Sequence, residues 1–153
     1  ESNTGGRLKP IFKHINCENF FLTYGDGLSD INLNKLEKEH LKNKPLVTVT
    51  AVKKKERFGG LEINSKNIVT KFMEKKLVYD QFINGGFFVV NKKVEEYIKS
   101  KKTSWEFDVL ANLSNAKKVN AFKHNGFWQC MDNLREKQLL EDLYFQKKAP
   151  WII

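Results

Sequence analysis

No stretch of eighteen or more apolar residues occurs in this sequence, which excludes a membrane span by a long apolar helix. A basic-then-apolar leader with a small-residue cleavage site is also missing, so nothing reads as an export signal. Cysteine is scarce: Cys17 and Cys130 lie far apart, have no metal-type spacing, and fit a reducing compartment better than a disulfide framework. Arginine is scarce as well. The formal charge of +9 comes mainly from lysines scattered among glutamates, as in KKKE and NKKVEEYIKSKK. That pattern reads as a solvated surface rather than a nucleic-acid groove, while its field suits anionic small substrates such as nucleotides. The histidines, His14, His40 and His124, show no ligand spacing and receive no role.

What is present fits one soluble domain with a real core: 153 residues, 41% hydrophobic and 12% aromatic. The run Phe20 to Tyr24 is apolar and β-favouring, and reads as a strand covered on both faces. SDINLNKLEKEHLKN carries Leu33, Leu36 and Leu41 at helical spacing, with Asp30 or Asn32 as N-cap. Pro45 ends that helix, and PLVTVTAV is a Val/Thr-rich strand, so the opening predicts β-α-β with a helical crossover suited to a parallel sheet. RFGGLEIN and IVTKFMEKK follow as strands. In QFINGGFFVVNKK the pair Gly85-Gly86 marks a bulge, or a place where something approaches the backbone closely. The patterns then predict helices in KKVEEYIKS, in TSWEFDVLANLSNA capped by Ser104, and in MDNLREKQLLEDLYFQ, with KVNAFKHN a strand between the last two. Strands alternating with helices predict an α/β fold with antiparallel elements in its glycine-rich middle.

Several residues could carry chemistry. Ligands of α/β sheets bind beyond the carboxyl ends of strands, and Gly25-Asp26-Gly27 follows such an end. The glycines permit tight backbone geometry and leave room beside a carboxylate of the kind that holds magnesium with substrate phosphates; a GDG sequence also serves simply as a turn. Asp132 is a second carboxylate, and its position is explained equally by a helix N-cap. Lys75 could meet a phosphate or be a surface lysine. Asn84 beside the paired glycines offers an amide to hydroxyl groups, or belongs to the bulge. Trp105 reads as core, and Glu106 as favourably placed at a helix start unless it reaches a sugar hydroxyl.

Taken in order, TGGRL, YGDG, RFGGLEI, FMEK, INGGFFV, WE, GFWQCMD and KAPW resemble the glucose-1-phosphate cytidylyltransferases, a family within the sugar-nucleotide pyrophosphorylases, over nearly the whole chain. The resemblance implies an incomplete Rossmann-like nucleotidyltransferase fold, α/β with a mixed, mostly parallel sheet flanked by helices. It implies conversion of CTP and glucose 1-phosphate to CDP-glucose and pyrophosphate in the cytoplasm, toward bacterial surface polysaccharides such as O antigen. By the same resemblance Asp26 and Asp132 hold Mg2+, and Lys75 neutralises the attacking phosphate. Ser2, Thr4, Arg7 and Gly25 lie along the nucleotide, and Gly59, Glu74, Asn84 and Glu106 around the hexose. Lys76 stands where the family usually has Pro. The family's glycine-rich nucleotide loop is absent, so residues 1–153 read as the C-terminal portion of a single nucleotidyltransferase domain, inactive alone. The exposed sheet edge expected from that loss predicts a homo-oligomer. Alternatives are a relative using UTP or dTTP, or a non-catalytic module that binds sugar phosphates or assembles with a partner; neither nucleic acid nor membrane is expected as a partner.

Overall fold

The computed structural model describes residues 1–53, 60–73 and 82–152. Its main sheet has four strands in the order β1 (Asn19–Thr23), β6 (Phe82–Asn91), β3 (Val47–Lys53) and β7 (Val119–His124). β6 is antiparallel to both β1 and β3, and β3 is parallel to β7. Three of the four strands therefore run in the same sense, with β6 reversed between β1 and β3. After the short N-terminal helix α1 (Thr4–Leu8), the expected β-α-β opening is present in direction, since helix α2 (Leu33–Asn43) carries the chain from β1 to β3. The two strands it joins are not neighbours, because β6 returns from later in the sequence to pair with both.

Alternation along the strands divides the core between the two faces of the sheet. On one face Val47, Phe88 and Val90 pack with Phe12, Val94, Ile98, Trp105, Val109 and Leu113. On the other, Val89 meets Ile31 and Leu36 beneath α2. Phe88 links the first cluster to the rim through edge-on contacts with Trp105 (5.7 Å) and Tyr24 (5.6 Å).

β1 departs from the reading of a strand covered on both faces. It lies at a sheet edge, and alternate side chains, Phe21 among them, are exposed while Phe20 and Leu22 pack toward the core. KKVEEYIKS forms a 3-10 helix, Lys92–Tyr97, rather than an α-helix. Two buried anchors, Val94 and Ile98, suffice there before the chain turns to meet the N-terminal segment, where the Lys101 and Thr103 carbonyls accept from the Asn3 and Gly6 backbone N–H groups. Ser104 caps the next helix as expected, but its first turns, Trp105–Leu110, are π-helical, and the Ser104 carbonyl accepts from both Asp108 and Val109. That widened turn runs into α3 (Ala111–Asn115).

Two further pairs complete the chain. β4 (Gly60–Ile63) and β5 (Val69–Met73) form an antiparallel hairpin. β2 (Gly27–Ser29), directly after the Gly25-Asp26 turn, pairs antiparallel with β8 (Trp128–Cys130), which leads into α4 (Leu134–Phe145). The cap of α4 is Asn133, whose side chain accepts from the Glu136 N–H at 3.0 Å, so Asp132 is not the N-cap its sequence position allowed.

Candidate functional site

The carboxyl ends of β1, β3 and β7 and the reversed start of β6 share one rim of the sheet. The chain leaving β1 turns at Gly25-Asp26 and enters β2, which the ladder to β8 ties down through Gly27 opposite Cys130. Beyond the ladder, the Met131 N–H donates to the Asp26 carbonyl at 2.8 Å. Two segments more than a hundred residues apart thus set Asp26 and Asp132 on one cleft of about 230 Å³, lined also by Tyr24, Asn84, Gly85, Gly86 and Trp128. That is smaller than a site for a drug-sized ligand.

Gly85-Gly86 forms the expected bulge: the β3 register passes from Val49 opposite Phe88 to Ala51 opposite Asn84. Gly86 has φ +78°, and a Cβ there would lie 2.6 Å from the Tyr24 ring, so conformation and space both favour glycine. Gly25 is different. Among the described glycines only Gly86 has positive φ, so the tight geometry read into GDG is not required; a Cβ on Gly25 would meet nothing within 4 Å, and the space beside it is open.

Asp132 is held from two sides. The Cys130 thiol donates to Asp132 Oδ2 at 3.1 Å, and Glu136, only 5% exposed, accepts the Asp132 backbone N–H at 2.9 Å. Cys130, Asp132 and Glu136 bring one ligand-type atom each within 4.8 Å of one another. Asp26 and Asp132 are themselves exposed on the cleft, and two exposed carboxylates fit a hard divalent cation that retains water and phosphate ligands.

Beside them runs a hydrogen-bonded chain. Asn84 Nδ2 donates to the Tyr24 hydroxyl (3.2 Å), which donates to Glu106 Oε1 (2.7 Å). Glu106 Oε2 accepts from Thr4 Oγ1 (2.8 Å) and Ser104 Oγ (3.2 Å), and Thr4 Oγ1 in turn accepts the Trp105 N–H (2.9 Å). Burial alone would raise the Glu106 pKa, but the hydroxyls of Tyr24 and Thr4, its own backbone N–H and Ser104 outweigh it and hold the carboxyl below its usual range. Burial, then the bond to Glu106, pushes the Tyr24 phenol well above its ordinary value, so it remains a donor.

The structure therefore brings Asp26, Asp132 and Asn84 to one cleft, and joins Glu106 and Thr4 to Asn84 through Tyr24. Ser2 and Arg7 are not cleft-lining: Ser2 Oγ donates to the Lys101 carbonyl and Arg7 Nε to the Ser2 carbonyl. Gly59, Glu74 and Lys75 lie outside the described residues. Sequence reasoning missed Tyr24, although it sits immediately before GDG, and Trp128, whose Nε1 donates to the Gly85 carbonyl at 2.7 Å. A larger hollow of about 610 Å³ between Lys9, Cys17 and Lys99 carries Glu18, Glu95 and Glu96 rather than Asp26 and Asp132, and Lys9 and Lys92 there donate to the backbone carbonyls of Ile98 and Ile15.

Residues 5–132 match the family model described as nucleotidyl transferase. The chain belongs to the nucleotidyl transferase family. Among curated nucleotidyl transferases it is 41% identical, over 151 residues and 98% of its length, to glucose-1-phosphate cytidylyltransferase of Salmonella typhimurium. It is 34% identical, over 149 residues and 97% of its length, to the probable glucose-1-phosphate cytidylyltransferase of Bacillus subtilis. The chain spans 58% of the length of each of these relatives. In fold it is similar to a putative glucose-1-phosphate thymidylyltransferase from Bacillus anthracis (TM-score 0.68, 17% identity, covering 94% of this chain and 61% of that one). It is also similar in fold to HddC from Yersinia pseudotuberculosis (TM-score 0.66, 23% identity, 93% and 62%).

Proposed function

We propose that this nucleotidyl transferase acts in sugar-nucleotide synthesis, joining CTP and glucose 1-phosphate to give CDP-glucose and pyrophosphate. The observation that carries the reading is the β2–β8 pairing, which sets two exposed carboxylates from opposite ends of the sequence on one cleft. The relatives named above supply the choice of CTP and glucose 1-phosphate.

In the reaction, a phosphate oxygen of glucose 1-phosphate attacks the α-phosphorus of CTP, the bond to the bridging oxygen breaks, and pyrophosphate leaves in line. Catalysis of this kind is mainly positioning and charge stabilisation. Asp26 and Asp132 would hold Mg2+, which when bound neutralises charge on the phosphates. Lys75 would oppose the attacking phosphate, with Asn84, Glu106, Gly59 and Glu74 around the hexose and Ser2, Thr4, Arg7 and Gly25 along the nucleotide. Among the latter, the open space at Gly25 favours close approach of a ligand. Neither Cys17 nor Cys130 is in a disulfide, which is consistent with a reducing cytoplasm. Self-association belongs to the same proposal.

Asp26→Asn and Asp132→Asn in the full-length polypeptide are each expected to abolish Mg2+-dependent CDP-glucose formation, measured as pyrophosphate release. Near-normal turnover in either variant removes that residue from the mechanism. A panel of CTP, UTP and dTTP in the same assay tests base choice, with CTP preferred.

A further inference from the structure

Tyr24 is placed by its ring and committed by its hydroxyl. The ring packs against Gly86 and edge-on to Phe88, and the Tyr24 backbone N–H donates to the Gly86 carbonyl at 3.3 Å. A phenol has one proton to give and two lone pairs to offer. That proton goes to Glu106, so toward Asn84 the hydroxyl can only accept. Asn84 is constrained at its other end as well, because its Oδ1 accepts the Gly86 N–H at 2.9 Å. The two bonds fix which way round the amide sits, and one Nδ2 hydrogen remains to be directed elsewhere.

We infer that Tyr24 is a positioning residue for substrate binding in this cleft: by accepting from Asn84 it locks the amide with an N–H turned to the ligand. The complementary group on the substrate is an acceptor, such as a sugar hydroxyl oxygen or a phosphate oxygen. This rests on the proposed reading of Asn84 as a hexose contact. The polarity is relayed from further away, since Thr4 and Ser104 saturate Glu106 Oε2 and leave Oε1 to take the Tyr24 proton. The N-terminal helix Thr4–Leu8, read as part of the nucleotide side, is thereby connected to the sugar side through three consecutive hydrogen bonds.

The test is a double-mutant cycle of Tyr24→Phe and Asn84→Ala in the full-length polypeptide, assayed with CTP, glucose 1-phosphate and Mg2+. Tyr24→Phe keeps the ring and deletes both hydroxyl bonds. It is expected to raise KM for glucose 1-phosphate about tenfold with kcat nearly unchanged, the pattern of lost uniform binding. Asn84→Ala is expected to raise KM at least as much, and adding Tyr24→Phe to it to have little further effect, because the hydroxyl acts through the amide. Thermal unfolding of each variant separates misfolding from weakened binding. A parent-like KM in Tyr24→Phe, or fully additive effects in the double variant, overturns the inference while leaving Asn84 in place. A parent-like KM in Asn84→Ala overturns the hexose reading itself. Should Asn84→Ala fail to fold, the KM and kcat of Tyr24→Phe alone decide.

Discussion

Asp132 and Asn133 are adjacent and chemically similar, yet the structure gives them different tasks. Asn133 caps α4, and Asp132 is left with its carboxylate on the cleft, held by a thiol and, through its backbone, by a buried glutamate. The sequence reading offered only Asp132 as a possible cap, whereas the cap is Asn133; both side chains can accept from the first-turn N–H groups. Tyr24 was hidden for another reason: its partners, Asn84 and Glu106, are 60 and 82 residues away, and no local pattern reports a contact made by folding. His40 shows the converse, a residue given no role by its sequence spacing whose structural role was invisible there. It is 2% exposed, with Nδ1 against Thr48 Oγ1 (2.9 Å) and Nε2 against Asn19 Oδ1 (3.1 Å). Burial lowers its pKa below 6.5 despite the opposing fields of Glu18 and Glu37. A histidine whose folded pKa is depressed favours the folded state fully above the unfolded value, and that contribution fades as pH falls through 6.5 toward the folded pKa. Thermal unfolding is therefore expected to show stability declining with acidification through this window, with a shallower decline in His40→Gln. An identical pH profile in the variant would remove His40 as the cause.

Among the elements, those set by local chemistry were legible and those set by distant partners were not. The Asn32 cap and the Pro45 stop bound α2 within a short span, and α2 forms over Leu33–Asn43 with Asn32 accepting from the Lys35 N–H; of the spaced leucines Leu36 is buried, with His40, while Leu33 and Leu41 are exposed. Paired glycines announced the β6 bulge because few other residues tolerate a positive φ. Strand order carries no such local mark. The insertion of β6 between β1 and β3, and the small β2–β8 ladder that frames the cleft, arise from pairings between residues as close as Lys53 and Phe82 and as distant as Gly27 and Cys130. The π-helical turn at Trp105–Leu110 is likewise a tertiary product: Trp105 and Val109 must both reach the core while Glu106 turns to Tyr24 and Thr4.

For the whole molecule, the surface carries apolar groups that a lone chain leaves in water. Phe107 is 86% exposed, Leu134 82% and Phe145 77%, and β1 offers a sheet edge. Self-association is the expected outcome, visible as a concentration-dependent mass in sedimentation equilibrium; a monomer at every concentration would contradict it. The central claim concerns one shared ion. Titrating Mn2+ in place of Mg2+ into the full-length polypeptide with CTP and glucose 1-phosphate present, and following the paramagnetic resonance of the free ion, tests it most directly. The account predicts that Asp26→Asn and Asp132→Asn each weaken protein-dependent Mn2+ binding by more than about tenfold, and that the double variant is no worse than the weaker single one. Parent-like binding in either single variant would contradict it.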